Sequence, residues 1–283
     1  EEAYGEAFEF VREAMVSPLF QVVNWAIDPA AGQPILQQDQ EGEPWQNGNA
    51  PLDDFRVIRG LIAGHQGGEA IGPVLAGRLM RGMYWTSVTD RAGVPKPEFP
   101  NYLGGVVGYA FNFEEAKDMA LTPPALARGT GTLDIDIIPV DYQDVWTMAH
   151  AARWDPRWAP VVAGSVDLML AAEIDGSGRF YNGLNGYTKQ WTGDFENPDT
   201  AKGQHLKAIQ VLWTAIHLAR ASGLDVLDQG RRDLARAAAA RSLLYFKSFY
   251  GEHGRIPEYF TFEGTDVPDC GDGASPKCLV AGW

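Results

Sequence analysis

The 283-residue sequence predicts an all-α fold in which inner and outer helices alternate around a ring, an α/α toroid. Three observations lead there. Apolar residues recur at i, i+3, i+4 and i+7 through most of the chain. Breaks rich in Gly, Pro and Asp cut that pattern into helix-length pieces. Long loops (28–50, 86–105, 120–140 and 177–203) alternate with the paired pieces, and loops of that length on a helical scaffold build a binding face.

Taken in order, the helical pattern covers 3–16, 19–27, 52–65, 70–85, 106–119, 141–153, 159–174, 204–222 and 230–249. The run "LARAAAARSLLYF" is strongly helical on propensity alone. "DPAAGQP", "RAGVPKPEFPN", "DGSG", "NGLNGY" and "NPDTAKG" punctuate the pattern. Only "TLDIDIIPV" (132–140) alternates as a strand does. No repeat has the period of a solenoid, and the whole of 1–283 reads as a single helical domain.

Composition narrows the function. A formal net charge of −14 argues against nucleic acid and anionic membrane surfaces, because phosphate binding needs clustered Lys and Arg. No apolar run is long enough to span a bilayer. Nine Trp, ten Tyr and thirteen Phe supply aromatic faces suited to apolar or sugar-ring surfaces. There is no GxGxxG after a strand, no Walker lysine loop, no HExxH and no GxSxG. The scattered His residues and the absence of a CxxC predict neither metal nor cofactor. Cys270 and Cys278 bracket "GDGASPK". They read either as a local disulfide or as two reduced thiols; the disulfide is favoured, and with it a secreted or cell-envelope protein. The chain opens abruptly on "EEAYGEAFEF", as a helix already under way, which is the expectation for a trimmed N-terminus.

The carboxylates of "NAPLDDFRVIRGLI" (49–62) can be read in two ways. Pro51 suits the first helical position, and Asp53 and Asp54 suit the positive end of the helix dipole, each by about 0.3–1 kcal/mol. Alternatively they do chemistry. Asp54, Ile58, Leu61 and His65 share a face, so Asp54 points towards packing or a cleft. At the N-terminus Glu2 also fits an acidic first turn, but Gly5 inside a helix costs about 0.5–1 kcal/mol relative to Ala. A glycine there permits close approach of a neighbour or ligand. Two carboxyl groups flanking a cleft are what glycoside hydrolysis needs, one protonated as acid and one ionised as base or nucleophile.

These features, in this order, resemble glycoside hydrolase family 8 and the related clostridial α-amylase family, number 126. "EAYGEAF" (2–8) resembles the E-x-x-G-x-G-M pattern that carries the general acid, with Glu2 and Gly5 in place, Phe8 for Met, and the second Gly replaced. "LFQVVNWAID" (19–28) resembles an aromatic-rich helix ending near a Trp, here Trp25. "NAPLDDFRVIRGLI" is similar to the A-T-D-A-D segment; in an ungapped register Asp54 matches the second Asp and Leu52 falls on the first. The stretch 141–170, with Trp146, resembles the helix–loop–helix that follows, and "GRFYNGLN" the "GLxPDW" loop. The base segment has its counterpart in "GDFENPDTAKGQHLKAIQ" (193–210), which offers Asp194, Glu196 and Asp199. Asp199 heads the helix most directly, and it is equally a plain cap.

The resemblance implies an (α/α)6 barrel, incomplete in this chain because about nine helical stretches fall short of the twelve of six hairpins. A second chain completing the ring is one expectation. It implies a polysaccharide-cleaving enzyme of glucan type, with Glu2, Asp54 and Asp199 as catalytic carboxylates. Asp53, Trp25, Trp146 and Tyr187 would bind the sugar. The rival expectation is a non-catalytic carbohydrate-binding or cell-envelope structural protein on the same scaffold.

Overall fold

The computed structural model describes residues 2–16, 21–23, 27–28, 33–34, 37–38, 44–45, 50–66, 72–88, 106–107, 110–112, 132–134, 137–186, 188–195 and 201–267. Helix α1 (Glu2–Phe10) runs on into a π-helical turn at Val11–Met15. Three helix pairs follow: α2 (Pro51–Gln66) with α3 (Gly72–Ser87), α4 (Val145–Ala151) with α5 (Trp158–Ala171), and α6 (Ala208–Ala221) with α7 (Gln229–His253). The connections within each pair are short, the condition for neighbouring helices to fold back on one another. Helix α4 is the hub, packing on α2, α3 and α6 as well as on α5. Helices paired in sequence order, with one pair packed on the next, are the arrangement of the toroid that the sequence predicts.

One apolar core runs through all three pairs. It centres on Trp158, fully buried at the start of α5. Phe55 of α2 meets its ring edge-to-face at 6.4 Å, and Tyr84 of α3 does so at 5.6 Å. Such contacts add roughly 0.5–1.5 kcal/mol each beyond the area they bury.

Polar contacts fasten the outer helices. Arg231 of α7 grips Asp167 of α5 through two bonds of 2.8 Å, and Arg241 of α7 grips Glu173 at 2.7 and 2.6 Å. The Glu173 carboxylate also accepts from the Gly178 amide at 3.0 Å. Gly178 has φ +77° and lies flat on the α7 backbone, where a Cβ would strike Arg241 and Ser242. Helix α7 ends at Gly254, left-handed at φ 68°, whose amide returns to the Tyr250 carbonyl at 2.8 Å.

Two expected helices are not helical where they are described. Within 19–27, Gln21 has φ 57°, Val23 bridges Val16, and Ile27–Asp28 (β1) pairs with Gln33–Pro34 (β2). Within 106–119, Val107 bridges Val88, and Ala110–Asn112 (β5) pairs with Thr132–Asp134 (β6). The backbone of Val107 is satisfied by a side chain instead of a helical ladder. Its amide donates to Gln143 Oε1 at 3.1 Å, and its carbonyl accepts from Gln143 Nε2 at 2.9 Å. Gln143 is fully buried, and it also bonds the Pro139 carbonyl and the Ser165 hydroxyl. The single strand expected over 132–140 divides into β6 and Ile137–Pro139 (β7).

Small antiparallel strands also form in two of the expected long loops, 28–50 and 177–203, and at Leu206–Lys207, in the first residues of the stretch 204–222 expected to be helical. Gln37–Gln38 (β3) pairs with Pro44–Trp45 (β4). Gly183–Asn185 (β8) lies between β7 and Trp191–Thr192 (β9). Leu206–Lys207 (β10) pairs with Tyr259–Phe260 (β11). They are two or three residues long, too short for an alternating pattern to stand out from a loop.

Candidate functional site

Helix α2 opens as its sequence predicts. Pro51 occupies the first turn, and the amides of Asp53 and Asp54 both donate to the Ala50 carbonyl, at 2.9 and 3.2 Å. The two carboxylates then diverge. Asp53 is half exposed and pairs with Arg56, one turn on, at 2.9 Å. Asp54 is fully buried, and its Oδ1 accepts the Val23 amide at 2.6 Å. A carboxylate accepting a backbone N–H at that distance makes a strong, charge-assisted bond. Asp54 therefore ties the segment after α1, which bridges back to Val16, to the first turn of α2.

Arg59, further along α2, reaches the loop that leads from β7 into α4. Its guanidinium meets Asp144 Oδ2 at 3.0 Å, with Arg59 22% exposed and Asp144 fully buried. Asp144 caps α4: Oδ1 accepts the Thr147 amide at 3.2 Å, and Oδ2 accepts the Thr147 hydroxyl at 3.0 Å. Asp141, three residues earlier in the same loop, is also buried. Arg59 thus links the helix carrying Asp54 to a loop carrying two further buried carboxylates.

Helix α6 closes the cluster with His217, whose Nδ1 lies 3.8 Å from Asp144 Oδ1. Both side chains are fully buried. Burial pushes the imidazole down to about 4; Asp144 pulls the other way, and Arg220 and Arg59 push down again. The Asp141 backbone favours the charged ring slightly without meeting hydrogen-bond geometry, and neither ring nitrogen has a hydrogen-bond partner among the described residues. The contact with Asp144 is therefore one between a carboxylate and a neutral ring at neutral pH. Burial also lowers the Arg220 guanidinium, Arg59 adds to that, and Asp144 opposes it. The cluster is a polar joint between α2, α4 and α6, with only Arg59 and Arg220 reaching its edge.

The remaining expected residues are dispersed. Trp146 is half-buried on α4, packs against the core, and lies over the His150 ring at a centroid distance of 3.9 Å. Asp194 is buried and accepts the Tyr259 hydroxyl at 2.6 Å, which holds the end of the β9 segment against β11. Glu2 lies in α1, its side chain outside the described atoms. Trp25, Tyr187, Glu196, Asp199, Cys270 and Cys278 lie outside the described residues. No group of His, Cys, Asp or Glu suited to hold a metal ion occurs among the described residues.

Sequence reasoning passed over Arg59, Asp141, Asp144, His217 and Arg220. The Asp144–Thr147 spacing is a helix-start signal legible without a structure. His217 and Arg220 sit in an apolar helix, and nothing in its periodicity points them at a carboxylate on another element.

No family model matches the chain, and no curated protein matches it in sequence. Solved structures do match in fold. One is described as a novel alpha-amylase from Clostridium perfringens, with a TM-score of 0.60 at 10% identity, covering 95% of this chain and 60% of that one. Rex8A from Paenibacillus barcinonensis, complexed with xylose, matches at 0.57 and 12% identity, over 93% and 60%. An endo-1,4-D-glucanase from Vibrio fischeri ES114 matches at 0.50 and 12% identity, over 82% and 58%. The chain spans about three fifths of the length of these neighbours. Its helix pairs have the (α/α)6 toroid fold of the glycosidases, over that share of the ring.

Proposed function

We propose that the protein is a glycoside hydrolase that cleaves a glucan-type polysaccharide by paired-carboxylate acid–base chemistry. The observation that carries this reading is the concentration of buried carboxylates at the starts of α2 and α4. There Asp54, Asp141 and Asp144 are all buried, and Arg59 of the helix that bears Asp54 pairs with Asp144, on a scaffold whose neighbours include an alpha-amylase and an endo-glucanase. In this proposal Glu2 is the general acid that protonates the leaving oxygen. Asp199 is the base that activates water, which requires a separation of roughly 6.5–9.5 Å between the two carboxyl groups. Asp53, the exposed member of its pair, lies at the cleavage position, the buried Asp54 anchors the helix that carries it, and Trp25, Trp146 and Tyr187 stack on the sugar. In this proposal the protein is secreted or held in the cell envelope, where a Cys270–Cys278 disulfide would persist.

A second reading, a carbohydrate-binding protein without catalysis, is favoured by how fully the described carboxylates are engaged: Asp54 by Val23, Asp144 by Thr147 and Arg59. Release of reducing sugar from soluble α-glucans, β-glucans and xylans separates the two. The hydrolase releases sugar from at least one of them, and Glu2→Gln lowers the rate by about 10²–10⁴-fold, the usual contribution of a general acid. Binding to one of them with no release of sugar establishes the binding protein.

A further inference from the structure

Outside the Arg59–Asp144 cluster, among the described residues, a groove is lined by aromatic and amide side chains. It has a volume of about 470 Å³, within the range of roughly 300–1,000 Å³ for small-molecule sites. Tyr181 and Trp191 line it with rings nearly parallel, 14° apart at a centroid distance of 5.7 Å, and Phe262 stands edge-on to Tyr181 at 5.3 Å. All three rings are half-buried, while Gln190 and Gln204 on the rim are exposed.

The walls are pinned by the main chain. The Tyr181 amide bonds the Ala172 carbonyl at 3.0 Å, the Gly193 amide bonds the Gly203 carbonyl at 3.0 Å, and Arg179 holds the Phe262 carbonyl. The rings therefore stand in place without a ligand, so binding costs little ordering entropy. The chemistry of the lining selects the occupant. Flat aromatic faces match the C–H face of a pyranose, and two primary amides offer donors and acceptors to its hydroxyls. Lys189 is the one charged side chain of the lining, and the chain as a whole carries −14, which disfavours an anion.

We infer that this groove binds a pyranose unit of a neutral oligosaccharide, as a saccharide site on the β8–β9 hairpin separate from the Arg59–Asp144 cluster. The inference rests on the reading of the protein as glycan-acting. It places a stretch of the oligosaccharide against the β8–β9 hairpin, whose neighbour in the sheet, β7, leads directly into the loop bearing Asp141 and Asp144.

Calorimetric titration of Glu2→Gln protein with malto-, cello- and xylopentaose tests it. One of the three is expected to bind saturably. Trp191→Ala should weaken that binding at least tenfold, and Gln204→Ala, an exposed substitution that leaves the fold intact, severalfold. Absence of binding by all three sugars, or binding that neither substitution weakens, overturns the inference. Groove-dependent binding by a protein that hydrolyses no glycan keeps the groove and removes the hydrolase. Hydrolysis without groove-dependent binding does the reverse.

Discussion

Asp54 shows how one side chain divides between structure and chemistry. Its carboxylate is committed to the Val23 amide at 2.6 Å, with no exposed surface. Removing the acceptor leaves a buried N–H unsatisfied, so Asp54→Ala is expected to lower stability by about 1–3 kcal/mol. Urea unfolding measures that loss, and an unchanged midpoint would remove the tethering role. His217 makes a second prediction at the same scale. Its pKa is about 4 in the folded chain against 6.5 when unfolded, so between those values the unfolded state binds the extra proton. Stability is therefore complete above about pH 6.5 and falls as the pH drops towards 4. The loss is on the order of 3 kcal/mol across that window. His217→Gln should flatten this part of the stability–pH curve while leaving the carboxylate titrations below it.

Among the elements, the joint between α5 and α7 is the most fully specified. Two arginines of α7 grip carboxylates on and just after α5, and the turn containing Gly178 is pressed onto the α7 backbone at the second of them, Arg241. Gly178→Ala adds a methyl group where backbone already lies, at a left-handed φ. The expected cost is about 2–4 kcal/mol, seen as a fall in Tm of roughly 5–10 °C. A melting curve that does not move would mean that the turn can lift off α7. The short α4 shows the same economy in another form: Asp144 serves both as its cap and as the ion partner of α2.

Across the whole molecule the net charge of −14 sets what approaches the site. A neutral glycan meets no long-range barrier, whereas a carboxylated polysaccharide is repelled over a Debye length of about 30 Å at 0.01 M salt and about 3 Å at 1 M. Polyuronates are therefore expected to bind more weakly than neutral glycans at low ionic strength, with the gap closing as salt is added. Affinity electrophoresis in gels containing each polymer reads this directly. A polyuronate that binds as well as a neutral glycan at low salt would mean that a local cationic surface outweighs the net charge.

The amino-acid order alone determined five of the six paired helices: Pro51–Gln66, Gly72–Ser87, Trp158–Ala171, Ala208–Ala221 and Gln229–His253 all fall within a few residues of their periodic patterns, while Val145–Ala151 fills only the middle of 141–153. Long amphipathic helices are legible because their pattern repeats over several turns and their breaks carry Gly, Pro and Asp. The start of α2 was equally legible, since Pro51, Asp53 and Asp54 act on their own helix end. Segments 19–27 and 106–119 were not, because their backbones are satisfied from far along the chain: Val23 by Asp54, Val107 by Gln143. The same reason hid the cluster of Arg59, Asp144, His217 and Arg220. Each looks ordinary on its own helix, and only the packing of α2, α4 and α6 around one another removes the water between them and makes their charges count.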